Sequence, residues 1–287
     1  SHQYRVGDAL TIRSHCPTPP PPKSESNIRA RAEKKKKKKK GRDGKWEELL
    51  SPLELCLRNP PLPGSDGPDM VDIKLIEELH VGEYKANQLF VARAVKSPRS
   101  LNLPTDCDLV AKISDPLYGD FSQAPFANAD HGYTYETVAY TRLPDLQGSV
   151  IPRYYGSFTL KFRVGRRFRV VRLILIERIH GMPMDDLDPR APKEERQRIL
   201  KQIVDAECSF YNRNLIHEDL YPRNILIKYE GDQRKPKVVI VGLGWLVFGR
   251  TRNAENIEEE KRHLSGTPIS PLLRWNIAVN RQYTFDE

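Results

Sequence analysis

Thirteen residues, 215–227 (Leu-Ile-His-Glu-Asp-Leu-Tyr-Pro-Arg-Asn-Ile-Leu-Ile), constrain the fold of this chain more than any other stretch. Ahead of them the apolar positions Ile199/Leu200, Ile203/Val204, Ala206 and Phe210/Tyr211 recur at helical spacing, which predicts a helix with one buried face. Pro192 marks its start, and Asn212 and Asn214 mark its end. Behind them Ile225 opens an apolar strand over 225–228, a turn at 230–232 and a second strand over 238–241. The polar loop between helix and strand holds His217, Asp219 and Asn224 at fixed offsets.

The first half of the chain reads differently. Residues 72–76 and 88–95 alternate with period two and are joined through Val81-Gly82-Glu83-Tyr84, a hairpin turn. A third strand covers 108–113, a polar loop 114–130, and a helix 133–143. Two more strands, 154–160 and 168–176, flank the basic turn 163–167. A charged helix over 254–263 and a proline-containing tail close the chain.

Residues 1–69 contain Pro17, prolines at 19–22, seven lysines at 34–40 and Asn59-Pro60-Pro61-Leu62-Pro63-Gly64. So little apolar surface cannot offset the entropy of ordering, and a disordered leader is expected there. Within it, 46–57 carries Trp46, Leu49, Leu50 and Leu53 on one side of a short amphipathic helix. The net charge is +9, of which the lysine run supplies seven, so the remainder of the chain is nearly neutral. The run reads as a nuclear import signal, a nucleic-acid arm or a solvated charge run. Cys16, Cys56, Cys107 and Cys208 are too widely separated for zinc-ligand spacing, and no Asn-x-Ser/Thr sequon is present. No stretch approaches the ~18 uninterrupted apolar residues of a membrane span. These features predict an intracellular chain, cytoplasmic or nuclear, with no membrane partner.

The order His217-x-Asp219-Leu220-x-x-x-x-Asn224 resembles the catalytic loop of the protein kinase-like fold, which includes small-molecule kinases of the aminoglycoside phosphotransferase type. The resemblance covers roughly residues 71–244. It implies that Asp219 lies beside an attacking hydroxyl and that Asn224 reaches Mg2+ on the phosphates of ATP. It also implies that Lys112, on the third strand, holds those phosphates and pairs with Glu136, the only carboxylate within helix 133–143. Strand parity puts Val110 on the face of Lys112, and Tyr140 and Leu143 put Glu136 on the apolar side of its helix. Gly82 falls where such kinases cover the phosphates, and residues 173–181, with Glu177 and Ile179, fall where they hydrogen-bond adenine.

Four departures stand against these matches. The phosphate-covering turn holds one glycine, followed by Glu83. Gly242-Leu243-Gly244 stands where the family has Asp-Phe-Gly, so the principal magnesium carboxylate is missing and Asn224 is left as the metal ligand. A loss of a thousand-fold, roughly 4 kcal/mol of barrier, is expected from that change. Glu218 replaces the arginine that pairs with a phosphorylated activation loop. Only 43 residues follow Gly244, and none carries Ala-Pro-Glu.

The predicted architecture is therefore α+β: a two-lobed kinase-like domain behind the leader. Its N-lobe (70–180) would be a five-stranded antiparallel sheet with one helix, and its C-lobe (181–287) reduced and helical. The expected function is that of a catalytically impaired, pseudokinase-like module that binds nucleotide weakly or regulates an unidentified partner. The alternatives are an active atypical phosphotransferase, acting on a protein or small molecule with Asp219 as base, and a nucleic-acid binder armed by residues 34–40.

Overall fold

The computed structural model describes residues 3–20, 50–230 and 235–248. The chain is α+β and divides into two compact units, Ser1–Arg142 with Arg153–Arg178, and Leu143–Pro152 with Ile179–Glu287.

The first unit is built on β1 (Ala9–Pro17), β2 (Gly64–His80), β3 (Asn87–Lys96), β4 (Leu109–Ser114), β5 (Tyr154–Val164) and β6 (Arg167–Glu177). They close into an antiparallel barrel in the order β1-β2-β3-β4-β6-β5. Two expectations are corrected by β1. The sheet has six strands, not five, and the stretch read as a structureless leader supplies the sixth. Leu10 and Ile12 alternate with the exposed Thr11 and Arg13 and point into the barrel. Leu10 lies opposite Ile73 of β2 and Arg13 opposite Thr159 of β5, so β1 covers what would otherwise be two exposed sheet edges. Ile12, Ile73, Leu75, Phe90, Leu109, Ile113, Phe158 and Leu173 fill the interior. Each such side chain contributes about 1.5–3 kcal/mol on burial.

The barrel also encloses an ion pair. Arg169 is 1% exposed and donates to Asp115 Oδ1 at 2.6 Å, while the Tyr4 hydroxyl donates to Asp115 Oδ2 at 2.6 Å. The guanidinium also reaches Gln3 Oε1 and lies over the Phe162 ring. Burial and the Asp115 carboxylate together hold the Tyr4 phenol protonated well above its ordinary range.

Helix α1 (Pro52–Arg58) starts after Ser51, whose hydroxyl accepts the Glu54 N–H at 3.2 Å. It occupies part of the expected 46–57 helix, of which 46–49 lie outside the described residues. Helix α2 (Pro125–Arg142) packs on β4, β5 and β6. It begins eight residues before the expected start at 133. Asn128, Asp130 and Gly132 are poor helix formers, but burial of Phe126, Ala127, Ala129 and Tyr133 overrides propensity. Its threonines spend their hydroxyls within the helix, with Thr134 donating to Asp130 O and Thr137 to Tyr133 O.

The second unit contains α3 (Lys193–Asn212), which buries Ile199, Ile203, Ala206 and Phe210 as the periodicity predicts. Asn214 ends the helical run in the left-handed region at φ +62°. Strand β8 (Leu215–His217) pairs with β11 (Leu246–Phe248), and β9 (Ile225–Glu230) pairs with β10 (Lys235–Ile240) and with β7 (Met182–Pro183). The Gln202 amide ties α3 to β10, donating to Pro236 O and accepting from Val238 N. Among the described residues no helix is long and apolar enough to cross a membrane. The lysine run 34–40 and the expected helix 254–263 lie outside the described residues.

Candidate active site

In the first unit, β4 presents Val110 and Lys112 on its outer face. Val110 lies between Val91 of β3 and Ile176 of β6, and Lys112 between Leu89 and Ile174. An apolar row therefore runs beside the lysine. Lys112 Nζ lies 2.5 Å from Glu136 Oε2 on α2, with the two side chains 14% and 3% exposed. The sequence-predicted pair is brought together across 24 residues of chain. One helical turn on, Tyr140 stacks on Tyr154 with ring centroids 5.1 Å apart and planes 6° off parallel. Glu136 Oε1 is buried without a hydrogen-bond partner, so the ammonium is the compensation for the buried carboxylate.

The turn between β2 and β3 is organised by a residue that sequence reasoning missed. Gln88, fully buried, accepts the Gly82 N–H at 2.9 Å and donates to Gly82 O at 3.0 Å and to Lys85 O. The amide of Gly82, expected to face phosphate, is thus spent inside the turn. Tyr84 adopts φ +64°, and Ala86 O accepts the Asp115 N–H at 2.7 Å. The only advance signal was a glutamine at an inward position of an otherwise apolar strand.

The two residues expected at an adenine edge are engaged in part. Glu177 closes β6, its N–H donating to Arg153 O at 2.8 Å and its Oε2 accepting the Arg153 N–H at 3.0 Å. Ile179 O accepts the Gly181 N–H at 3.0 Å. A recess lined by Pro60, Pro61, Phe126, Tyr133 and Arg172 among others includes neither Lys112 nor Glu136.

In the second unit the loop after β8 is closed by its own side chains. Asn224 Nδ2 donates to Asp219 Oδ2 and to Asp219 O, both at 2.8 Å. Arg223 pairs with Asp219 Oδ1 at 2.5 Å, and its guanidinium lies 4.4 Å from the Tyr221 ring centroid. The Asp219 N–H donates to His217 Nδ1 at 3.2 Å, which fixes that ring nitrogen as an acceptor. Asn224 O accepts the Val241 N–H at 2.9 Å and brings residue 242 against the loop. Gly242 takes φ +74°, and a Cβ there would lie 2.7 Å from Asn224 Oδ1. Asp219, Asn224 and position 242 therefore meet, as the resemblance implies. Arg223 is the member that reasoning missed, although its spacing of four residues from Asp219 was visible.

The magnesium implied by the resemblance can be tested against these atoms. Asp219 has one carboxylate oxygen on a guanidinium and the other on an amide N–H. Asn224 turns its nitrogen to Asp219, and its oxygen faces the space that a side chain at residue 242 would enter. Mg2+ takes near-octahedral oxygen ligation with one or two carboxylates. Among the described residues no three His, Cys, Asp or Glu side chains converge as a metal group. The donor set as arranged does not fit the ion, and Asn224 is not presented as a metal ligand. No family model matches the chain, and no curated protein matches it.

Proposed function

We propose that this chain is a protein kinase-like domain with impaired catalysis, which binds nucleotide weakly and acts as a regulatory module. Support comes from each unit separately. The first holds a buried strand-lysine and helix-glutamate pair. The second holds an aspartate and an asparagine in one loop at the kinase spacing. The observation that carries the impairment is the state of Asp219. A general base needs a free oxygen directed at the proton it removes, whereas both oxygens of Asp219 are occupied from within the loop.

Thermal shift with ATP, with and without Mg2+, beside a phosphate-transfer assay, tests the reading. Stabilisation by millimolar ATP without phosphate transfer supports it. The absence of any shift removes nucleotide binding, and turnover abolished by Asp219→Ala replaces the reading with an active phosphotransferase. One observation favours that second reading: the Asp219 side chain remains 22% exposed, within reach of a substrate that displaces Arg223.

A further inference from the structure

A phosphate chain needs positive charge or N–H donors, and the features that usually provide them are altered here. The Gly82 amide is turned inward onto Gln88, and the Asp219 loop does not fit a metal ion. The sheet register shows what stands in their place. His80 of β2 lies opposite Leu89 of β3, and Leu89 lies opposite Lys112 of β4. Cross-strand partners project from the same face. With adjacent strands about 4.8 Å apart, His80 and Lys112 flank Leu89 at roughly 10 Å along one row.

Lys85 belongs to the turn that joins these strands, and its carbonyl is fixed by Gln88. Among the described residues no carboxylate pairs with Lys85 or His80, and Lys112 has Glu136. Desolvation, then the charges of Lys85 and Lys112, push the His80 pKa down, so all three groups act on one region. The exposed Glu83 is the single acid in the turn. Bracing the turn through Gln88 gives up the Gly82 amide and fixes the backbone that carries Lys85.

We infer that His80, Lys85 and Lys112 form a metal-independent site for the phosphate chain of a nucleotide, in which two basic side chains supply the charge that a divalent cation would otherwise bring. The inference deepens the nucleotide-binding reading and rests on it. Lys112 contacts the phosphates while held by Glu136, Lys85 closes from the turn, and His80 lies at the outer end of the row.

The test is titration of the full chain with ATP, inorganic tripolyphosphate and adenosine, in EDTA and in Mg2+. ATP and tripolyphosphate should both bind in EDTA. Lys85→Gln should weaken them by about tenfold, as expected for loss of a charge-assisted contact, and His80→Gln, which removes a neutral imidazole, by only about threefold. Neither substitution touches the core, so folding is preserved. Adenosine should bind more weakly than ATP and respond to neither variant, which separates phosphate recognition from base recognition. A chain with glutamines at 34–40 should bind as the wild type does; loss of binding in that variant would assign the phosphate to the lysine run and overturn the inference. If ATP binds only with Mg2+ and Lys85→Gln matches the wild type, the inference is wrong while the nucleotide reading stands. No binding of ATP in either condition removes both.

Discussion

Two carboxylate–cation pairs, one in each unit, have the same 2.5 Å separation and opposite surroundings. Lys112–Glu136 sits between a barrel face and a helix buried on most sides, with exposures of 14% and 3%. Asp219–Arg223 spans one turn of a loop, with Arg223 57% exposed. Distance therefore says little about what either pair does. In the first, one carboxylate oxygen is buried without a donor, so the lysine is needed to keep a charge in a dry place. In the second, solvent screens both partners and the arginine mainly occupies an oxygen. The buried pair holds the barrel face and the helix together, and the exposed pair is adjustable.

The largest expected effect tests the buried side of this contrast. Glu136→Ala, which strands the Lys112 ammonium, should lower unfolding stability by about 3–4 kcal/mol in denaturant melts. Adding Lys112→Met to that variant should recover most of the loss; an undiminished loss would mean that α2 packing, not charge, was removed. Next comes acid sensitivity of the same unit. His15 is buried with Nδ1 bonded to the Tyr133 hydroxyl at 2.7 Å; burial, and then the Arg172 charge, push it down to about 4. Its unfolded value is higher, so the unfolded state binds more protons below that value. The neutral imidazole contributes stability above pH 6.5, which is lost as pH falls toward 4. The loss should reach about 2–3 kcal/mol. Melts of the wild type and His15→Gln between pH 7 and pH 4 should diverge by that amount, and parallel curves would refute the assignment.

Smaller effects belong to the loop. Gly242→Ala should cost about 1–2 kcal/mol, from a left-handed alanine and a Cβ pressed against Asn224. Gly242→Asp should cost less than alanine, because aspartate tolerates that region of backbone space. Equal costs would mean that the Asn224 contact, not the backbone, decides. The smallest change is Arg223→Ala, expected below about 1 kcal/mol. A loss as large as that of Glu136→Ala would erase the distinction between the two pairs.

Much of the second unit was legible in the sequence, because α3 carries its buried face at strict helical spacing and ends on asparagines. The Lys112–Glu136 contact was legible only through resemblance, since nothing local links residues on a strand and a later helix. The β1 strand was missed although Leu10 and Ile12 alternate with polar neighbours. A five-residue pattern ahead of proline-rich and lysine-rich sequence has no local claim to order, and its partners on β2 and β5 lie far along the chain. The first turns of α2 were hidden by residues that disfavour helices in isolation. Arg223 and Gln88 were missed for another reason: both are polar residues whose role depends on which neighbour their flexible ends meet.

The placement of β1 also changes what the segment after it is. Because β1 and β2 are antiparallel neighbours, residues 18–63 are an insertion between two strands of one barrel, anchored at both ends. Closing a connection of that length costs about 3 kcal/mol of chain entropy before any β1 contact compensates. The long separation predicts that barrel closure follows the hairpins formed by β2–β3 and β5–β6 in folding. A single proteolytic cut within the insertion would leave β1 held by noncovalent contacts alone: its strand hydrogen bonds, the burial of Leu10 and Ile12, and the Tyr4–Asp115 bond.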